Sequence, residues 1–290
     1  MLEKELNQFY TKDEIALQCL NLALETLSKL NSLDNALFLE TSAGAGAFIR
    51  ALKQKNISNF LAYDIDPKAD YIKKKNFLND DFSFLKNHQN IITIGNPPYA
   101  KKAKVAIEFI NKAFEYSNTI CFILPVQFNK FSAQKQINSK AKLIFNQLLP
   151  NNSFTFKDKE YSIRTAFQIW TLNDYATKDF RIKQAPPTTH KDFEIWQYNC
   201  TKEALKYFDK ELYQWNFAVT RQGFNDYSKI IENPQDLNQK KQYAFFKAKN
   251  NKILNRLKKL NFSKIAQKNS IIYGYGKADI IEEYTKLYGA

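Results

Sequence analysis

Four short apolar runs constrain the first 172 residues more than any other feature: "NALFLE" (35–40), "NFLAYDID" (59–66), "NIITIG" (90–95) and "TICFILP" (119–125). Patterns of helical period stand between or beside them, at 12–31, about 47–55 and 103–117. Strand-length apolar runs that alternate with helices mean βαβ units, hence a mostly parallel sheet buried on both faces. The spacing predicts further elements: a short third strand at 76–82, a helix over about 131–148, and strands near 153–156 and 165–172. Thr11 and Glu14 have the spacing of a capping box for the first helix, whose apolar stripe runs through Ala16, Leu20, Ala23, Leu27 and Leu30. The fold class is therefore α/β, a doubly wound sheet of Rossmann-like type.

Sheets of this class bind ligands at the carboxyl ends of their strands. Four of the predicted strands carry a polar group there: Glu40, Asp64, Asp81 and Asn96. After Glu40 comes "TSAGAGAF", a small-residue turn that lets backbone approach a ligand ahead of a helix N-terminus. It lacks the third glycine of a dinucleotide fingerprint and the Gly-Lys-Ser/Thr of a phosphate loop. An acid directly before this turn repels a pyrophosphate but suits an ammonium or sulfonium group. Asp64, about twenty residues on, is placed to accept from ribose hydroxyls. After Gly95 the chain runs into Asn96-Pro97-Pro98-Tyr99, a rigid loop carrying an amide and an aromatic ring.

The charge is uneven. Lys and Arg outnumber Asp and Glu 43 to 29 overall, 22 to 17 in residues 1–175 and 21 to 12 in residues 176–290. A basic surface attracts polyanions, nucleic acid foremost. "KQAPPTTHKD" (183–192) reads as a connector, which divides the chain into residues 1–178 and 179–290. Three scattered cysteines and two histidines indicate neither a disulfide framework nor a metal site. No apolar run is long enough to span a membrane, and "MLEKELNQFY" lacks the core of a signal peptide, so the cytoplasm is the expected location. Nothing in the sequence marks an oligomeric state.

The ordered set "FYTKDEIA", "ETSAGAGAF", "AYDIDPKA", "NDDF" and "GNPPY" resembles the amino-group DNA methyltransferases that modify adenine N6 with S-adenosylmethionine. The resemblance covers about residues 8–172. It implies that Phe9 and Thr11 meet the methionine end of the cofactor, and that Glu40, Ser42, Gly44 and Gly46 shape that pocket. It further implies that Asp64 holds the ribose, and Ile65, Asp81 and Phe82 the adenine. Asn96 and Pro97 would accept the hydrogens of the target amino group, with Tyr99 stacked on the base and no metal involved. Phe154 or Phe156 would pack on the opposite face of the base, unless both are sheet core. The catalytic tetrapeptide follows "NDDF" by only about fifteen residues, which places target recognition in the basic C-terminal domain. Thr41 and Lys12-Asp13 depart from the prolines common at those points in the family.

The implied substrate is double-stranded DNA with the target base flipped out. RNA adenine or guanine, and less readily a protein glutamine, pose the same chemical problem to the same tetrapeptide. Lys101, Lys102 and Lys104 are candidates to position phosphates, or are simply a solvated helix start. Arg221 and Lys277, in "RQGFNDY" and "YGYGK", are candidates to contact nucleic acid.

Overall fold

The computed structural model describes residues 9–30, 32–99, 104–156, 159–174, 176–268 and 272–289. The chain divides into two compact units, the first ending at Lys183 and the second beginning at Gln184.

In the first unit β1 (Tyr10–Thr11) leads into α1 (Asp13–Ser28). There follow β2 (Leu37–Glu40), α2 (Ala47–Gln54), β3 (Phe60–Asp64), β4 (Lys73–Lys74), β5 (Ile91–Gly95), α3 (Lys104–Ala113) and β6 (Thr119–Pro125). The unit continues through α4 (Phe131–Gln134), β7 (Lys142–Leu148), β8 (Phe154–Phe156), β9 (Lys159–Tyr161) and β10 (Thr165–Thr171). The main sheet runs β4-β3-β2-β5-β6-β10-β7. β4, β3, β2, β5 and β6 pair in parallel, while β10 runs antiparallel to both β6 and β7. This is the doubly wound, Rossmann-like α/β class expected.

Period-2 alternation assigns each strand residue to one face of the sheet. Phe38, Ile92, Ile94, Cys121 and Ile123 meet α1 and α2 through Ala16, Leu20, Phe48 and Leu52. Leu37, Leu39, Ile91, Ile120, Phe122 and Leu124 meet α3 through Phe109 and Ile110 on the other face. Both faces being covered, the strands read as continuous apolar runs. β1, β8 and β9 form a separate small antiparallel sheet.

Three local expectations are corrected. Residues 142–148 are strand β7, not helix: a short apolar run fits either period, and the free edge of the fully buried β10 supplies the partner that decides. The third parallel strand is Lys73–Lys74, and residues 76–82 are turns. Thr11 belongs to β1, where it pairs with Phe154, so it does not cap α1. The cap residue is Lys12, with no side-chain cap bond; its N–H donates instead to the Ser153 carbonyl.

The second unit is an antiparallel sheet of β11 (Phe193–Tyr198), β13 (Tyr243–Ala248) and β12 (Phe217–Thr220), in that order. α5 (Lys210–Tyr213) precedes β12. One face packs on α6 (Asn251–Lys258), α7 (Phe262–Lys268) and α8 (Lys277–Tyr288) through Phe217, Phe246, Leu257, Ile265 and Ile281. The other face holds Trp215, Tyr243 and Phe245.

Candidate functional site

The main sheet changes direction of growth between β2 and β5: from β2 the chain steps outward to β3 and β4, then crosses back to β5. Such a switch leaves a crevice at the carboxyl ends of the two strands, because their following loops diverge. Glu40 ends β2 and Gly95-Asn96 ends β5, so both border the crevice. A cavity of about 240 Å³ lies there, with Glu40, Ser42, Gly44, Asp64 and Asn96 in its wall.

The β2–α2 loop is drawn tight around this cavity. Ala43 N–H donates to the Tyr63 carbonyl at 2.9 Å, and Gly44 N–H to Asp64 Oδ2 at 2.7 Å. Asp64 Oδ1 accepts from Asp66 N–H at 2.7 Å, so this carboxylate ties together the loops after β2 and β3. Its oxygens keep further lone pairs for a ligand. Gly46 (φ +81°) is left-handed, and a Cβ there would lie 2.5 Å from the Tyr71 hydroxyl. Gly95 (φ +155°) packs against Glu40, whose Cγ would be 3.3 Å from an added Cβ. Glycine is thus required at one point by conformation and at the other by close approach.

Glu40 is 2% exposed, and its Oε2 has no hydrogen-bond partner among the described residues. Burial first, and the neighbouring Asp64 charge second, push its carboxyl up to about 8, with Arg50 opposing. Thr41 Oγ1, equally buried and also in the cavity wall, is likewise unpartnered among the described residues. Buried polar atoms are normally satisfied, so an acceptor and a hydroxyl left open at one cavity call for a polar ligand. A cationic ligand would restore the ionised carboxylate; a phosphate would raise its cost further. These residues fit the sulfonium and ammonium end of S-adenosylmethionine.

The Asn96 loop is fixed from several sides. Ser42 Oγ donates to the Asn96 carbonyl at 3.3 Å, and Asn96 Nδ2 to the Phe9 carbonyl at 3.5 Å. The Tyr99 hydroxyl faces two acceptors, Asn96 Oδ1 and, at 3.0 Å, the Ile123 carbonyl. Its single proton is shared between them, and burial holds its pKa well above the phenol range. The ring of Tyr99 remains in the cavity wall beside Pro97 and Pro98. Oδ1 of Asn96 is thereby held as an acceptor while Nδ2 is directed to Phe9.

Not every expected residue reaches the cavity. Phe9, Thr11, Glu40, Ser42, Gly44, Asp64, Ile65, Asn96, Pro97 and Tyr99 line it. Gly46 stands just behind as the cap of α2. Asp81 and Phe82 do not line it. The Asp81 carboxylate accepts from the N–H and hydroxyl of Ser83, both at 2.8 Å, where the 3₁₀ turn Ser83–Asn87 begins. Phe82 is fully buried, edge-on to Tyr63 at 5.0 Å and Phe77 at 5.1 Å. In their place Asn76, Phe77 and Leu78 form the wall, directly after β4. A motif of the form "NFL" at a strand end was the available signal.

Phe154 is 0% exposed in the core beneath α1 and cannot pack on a base. Phe156 is half-buried, at 5.6 Å from Phe9. Phe9 in turn stacks on Tyr161 at 4.3 Å and 13°, a ring that no sequence motif marks.

Of the basic candidates, Lys101 and Lys102 lie outside the described residues. Lys104 is 73% exposed and 3.8 Å from Glu108. Arg221 is engaged within the second unit, donating to the Tyr275 carbonyl at 3.3 Å and Gln242 Oε1 at 3.1 Å. Lys277 opens α8 and is half-buried. Among the described residues no group of three or more His, Cys, Asp or Glu is placed to hold a metal, and no helix is long and apolar enough to cross a membrane.

No protein-family model matches the chain, and no curated protein matches it in sequence. Its fold is similar to several solved structures. A proposed RNA methyltransferase from Pyrococcus horikoshii is 16% identical with a TM-score of 0.43, over 57% of this chain and 87% of that one. The type IIG restriction endonuclease BpuSI is 12% identical with a TM-score of 0.42, over 87% of this chain and 32% of that one. The bifunctional kinase-methyltransferase WbdD is 10% identical with a TM-score of 0.35, over 86% of this chain and 66% of that one. Likenesses this distant concern the fold, and the functional reading rests on the site.

Proposed function

We propose that the chain is an adenine-N6 DNA methyltransferase that uses S-adenosylmethionine. The observation that carries this reading is the meeting, on one cavity at the sheet's switch point, of the open Glu40 carboxyl and the pinned Asn96-Pro97-Pro98-Tyr99 loop. Glu40 and Thr41 would face the cationic end of the cofactor, Asp64 its ribose hydroxyls, and Ile65 and Phe77 its adenine. When bound, the cofactor supplies a methyl group made electrophilic by its sulfonium.

The rest of the chemistry belongs to the protein. The exocyclic nitrogen of adenine is a poor nucleophile because its lone pair is delocalised into the ring. Asn96 Oδ1 and the Pro97 carbonyl would each accept one of its hydrogens and draw the nitrogen towards tetrahedral geometry, freeing the lone pair. Fixed acceptors need no reorganisation during reaction, and that is what the two prolines and the bonds from Ser42, Asn96 and Tyr99 provide. Tyr99 offers a stacking face worth roughly 1–3 kcal/mol, and Phe156, beside Phe9 and Tyr161, is the remaining candidate for the opposite face. The target base must leave the duplex to reach this cavity, at a cost of a few kcal/mol. The second unit, with 18 basic and 11 acidic residues, is assigned to target recognition.

The test is transfer of labelled methyl groups to separate DNA and RNA pools, followed by nucleoside analysis. N6-methyladenosine in the deoxyribose form is expected. Label in RNA alone would move the substrate, and label in neither would overturn the reading.

A further inference from the structure

The stretches Arg221–Tyr227 and Tyr273–Lys277 are distant in sequence, yet they meet in the second unit. An antiparallel bridge joins Gln222 to Gly274. Gly223 N–H donates to the Tyr273 carbonyl at 2.9 Å, and Tyr275 N–H to the Arg221 carbonyl at 3.0 Å. Side chains add further ties. The Tyr227 hydroxyl lies 2.5 Å from the Gly223 carbonyl and 2.9 Å from that of Tyr273, and the Tyr275 hydroxyl donates to the Thr220 carbonyl at 3.0 Å. Asn225 Nδ2 donates to the Gln222 carbonyl at 2.9 Å.

This pinned loop carries Phe224, which at 85% is the most exposed large apolar side chain among the described residues. A loose loop could fold such a ring away from water. Here the turn at Gly223 (φ +97°) and the cross-links hold the backbone so that the ring stands out, with Tyr273 5.7 Å away at 59°.

The surroundings favour an anionic partner. Lys229 and Lys241 share a surface pocket with Asn225, Asp226 and Asp236, and Lys277 ends the second stretch. Two of the nearby carboxylates are bound within the unit, Asp226 accepting from Ser228 at 2.6 and 2.9 Å and Asp279 from Gly276 N–H at 2.7 Å, and over the unit as a whole 18 basic residues outnumber 11 acidic ones. Ile272, 52% exposed, precedes Tyr273 in the chain, but a protein-docking surface presents a broader apolar patch, whereas a protruding ring on a unit of net positive charge has the dimensions of a base step.

We propose that Phe224 is a wedge that inserts between stacked base pairs of duplex DNA, with the neighbouring lysines on the flanking phosphates. The proposal rests on the nucleic-acid reading of the second unit. It is tested with the full chain, without cofactor, on a fluorescein-labelled mixed-sequence duplex. Phe224→Ala, at a solvent-exposed position, should weaken binding roughly tenfold, as loss of a base–aromatic stack does. The salt dependence should be unchanged, because no charge is lost, whereas Lys277→Ala should lower the slope by about one. In Phe224→Trp the added indole emission should be quenched by the duplex.

Wild-type affinity in Phe224→Ala would overturn the wedge, as would a wild-type chain that does not bind the duplex. So would a Phe224→Ala variant altered only in self-association, or only in binding to duplex RNA. Methyl transfer is assayed separately, so a failed wedge leaves the proposed activity standing, and a failed activity leaves the binding result interpretable.

Discussion

At the switch-point end of the cavity, Glu40, Asp64 and Asn96 sit at the carboxyl ends of three adjacent parallel strands, or one residue beyond. The opposite wall, Asn76 to Leu78, belongs to a run of turns. There Asn76 Oδ1 accepts from Leu78 N–H at 3.1 Å, and Asp80 from Asn76 N–H at 2.7 Å. The first end is held by the sheet and keeps an open buried carboxyl; the second is held by local hydrogen bonds and is lined by an apolar ring. A strand end fixes where a polar side chain must go, because register and face are set by the whole sheet. A turn fixes it only through its own few bonds.

The strongest way to break this contrast is Asn96→Ala. Removing a fixed acceptor should lower methyl transfer by at least about 10²-fold while calorimetry still detects cofactor binding. Equal loss of both would mean that Asn96 only shapes the pocket.

Glu40→Gln comes next. The carboxyl keeps its proton in the fold up to about pH 8 but loses it near 4.5 in the unfolded chain. Unfolding therefore releases a proton within that window, and stability falls as pH rises through it, by a few kcal/mol in all. The Gln variant should be flatter in thermal melts between those values and should bind the cofactor more weakly. Wild-type cofactor binding below pH 8 should release a proton, visible as a dependence of binding heat on buffer ionisation. A melt profile identical to wild type would show that Glu40 is already ionised.

Gly46→Ala forces a side chain into left-handed backbone and towards the Tyr71 hydroxyl, which should cost about 1–3 kcal/mol in denaturant unfolding. At the far wall, Asn76→Ala should weaken cofactor binding several-fold. Asp81→Ala should leave affinity intact and cost only the local hydrogen bonds to Ser83, about 1 kcal/mol. The reverse outcome would restore Asp81 to the site. Smallest of all, Tyr99→Phe keeps the stacking face and loses the hydroxyl bonds to Asn96 and Ile123, so kcat should fall a few-fold with KM little changed.

The same contrast explains what was legible in the sequence. Glu40, Asp64 and Asn96 follow apolar runs long enough to be strands, so their position at strand ends is a consequence of period and length. "NDDF" resembles a cavity motif, but no continuous apolar run anchors it. Asp80 and Asp81 were taken up by local turns and Phe82 by the core. The small sheet of β1, β8 and β9 was equally out of reach, since two- and three-residue strands carry no periodic signal.

By itself, the sequence determined the doubly wound sheet and the acids and amide at its strand ends, because burial on both faces imprints long apolar runs and period 2. Tertiary structure alone decided that residues 142–148 extend the sheet, that Phe77 rather than Phe82 faces the cavity, and that Phe9 stacks on Tyr161. Those choices depend on which partner edge or ring is left unsatisfied after the sheet has formed. No local pattern encodes that.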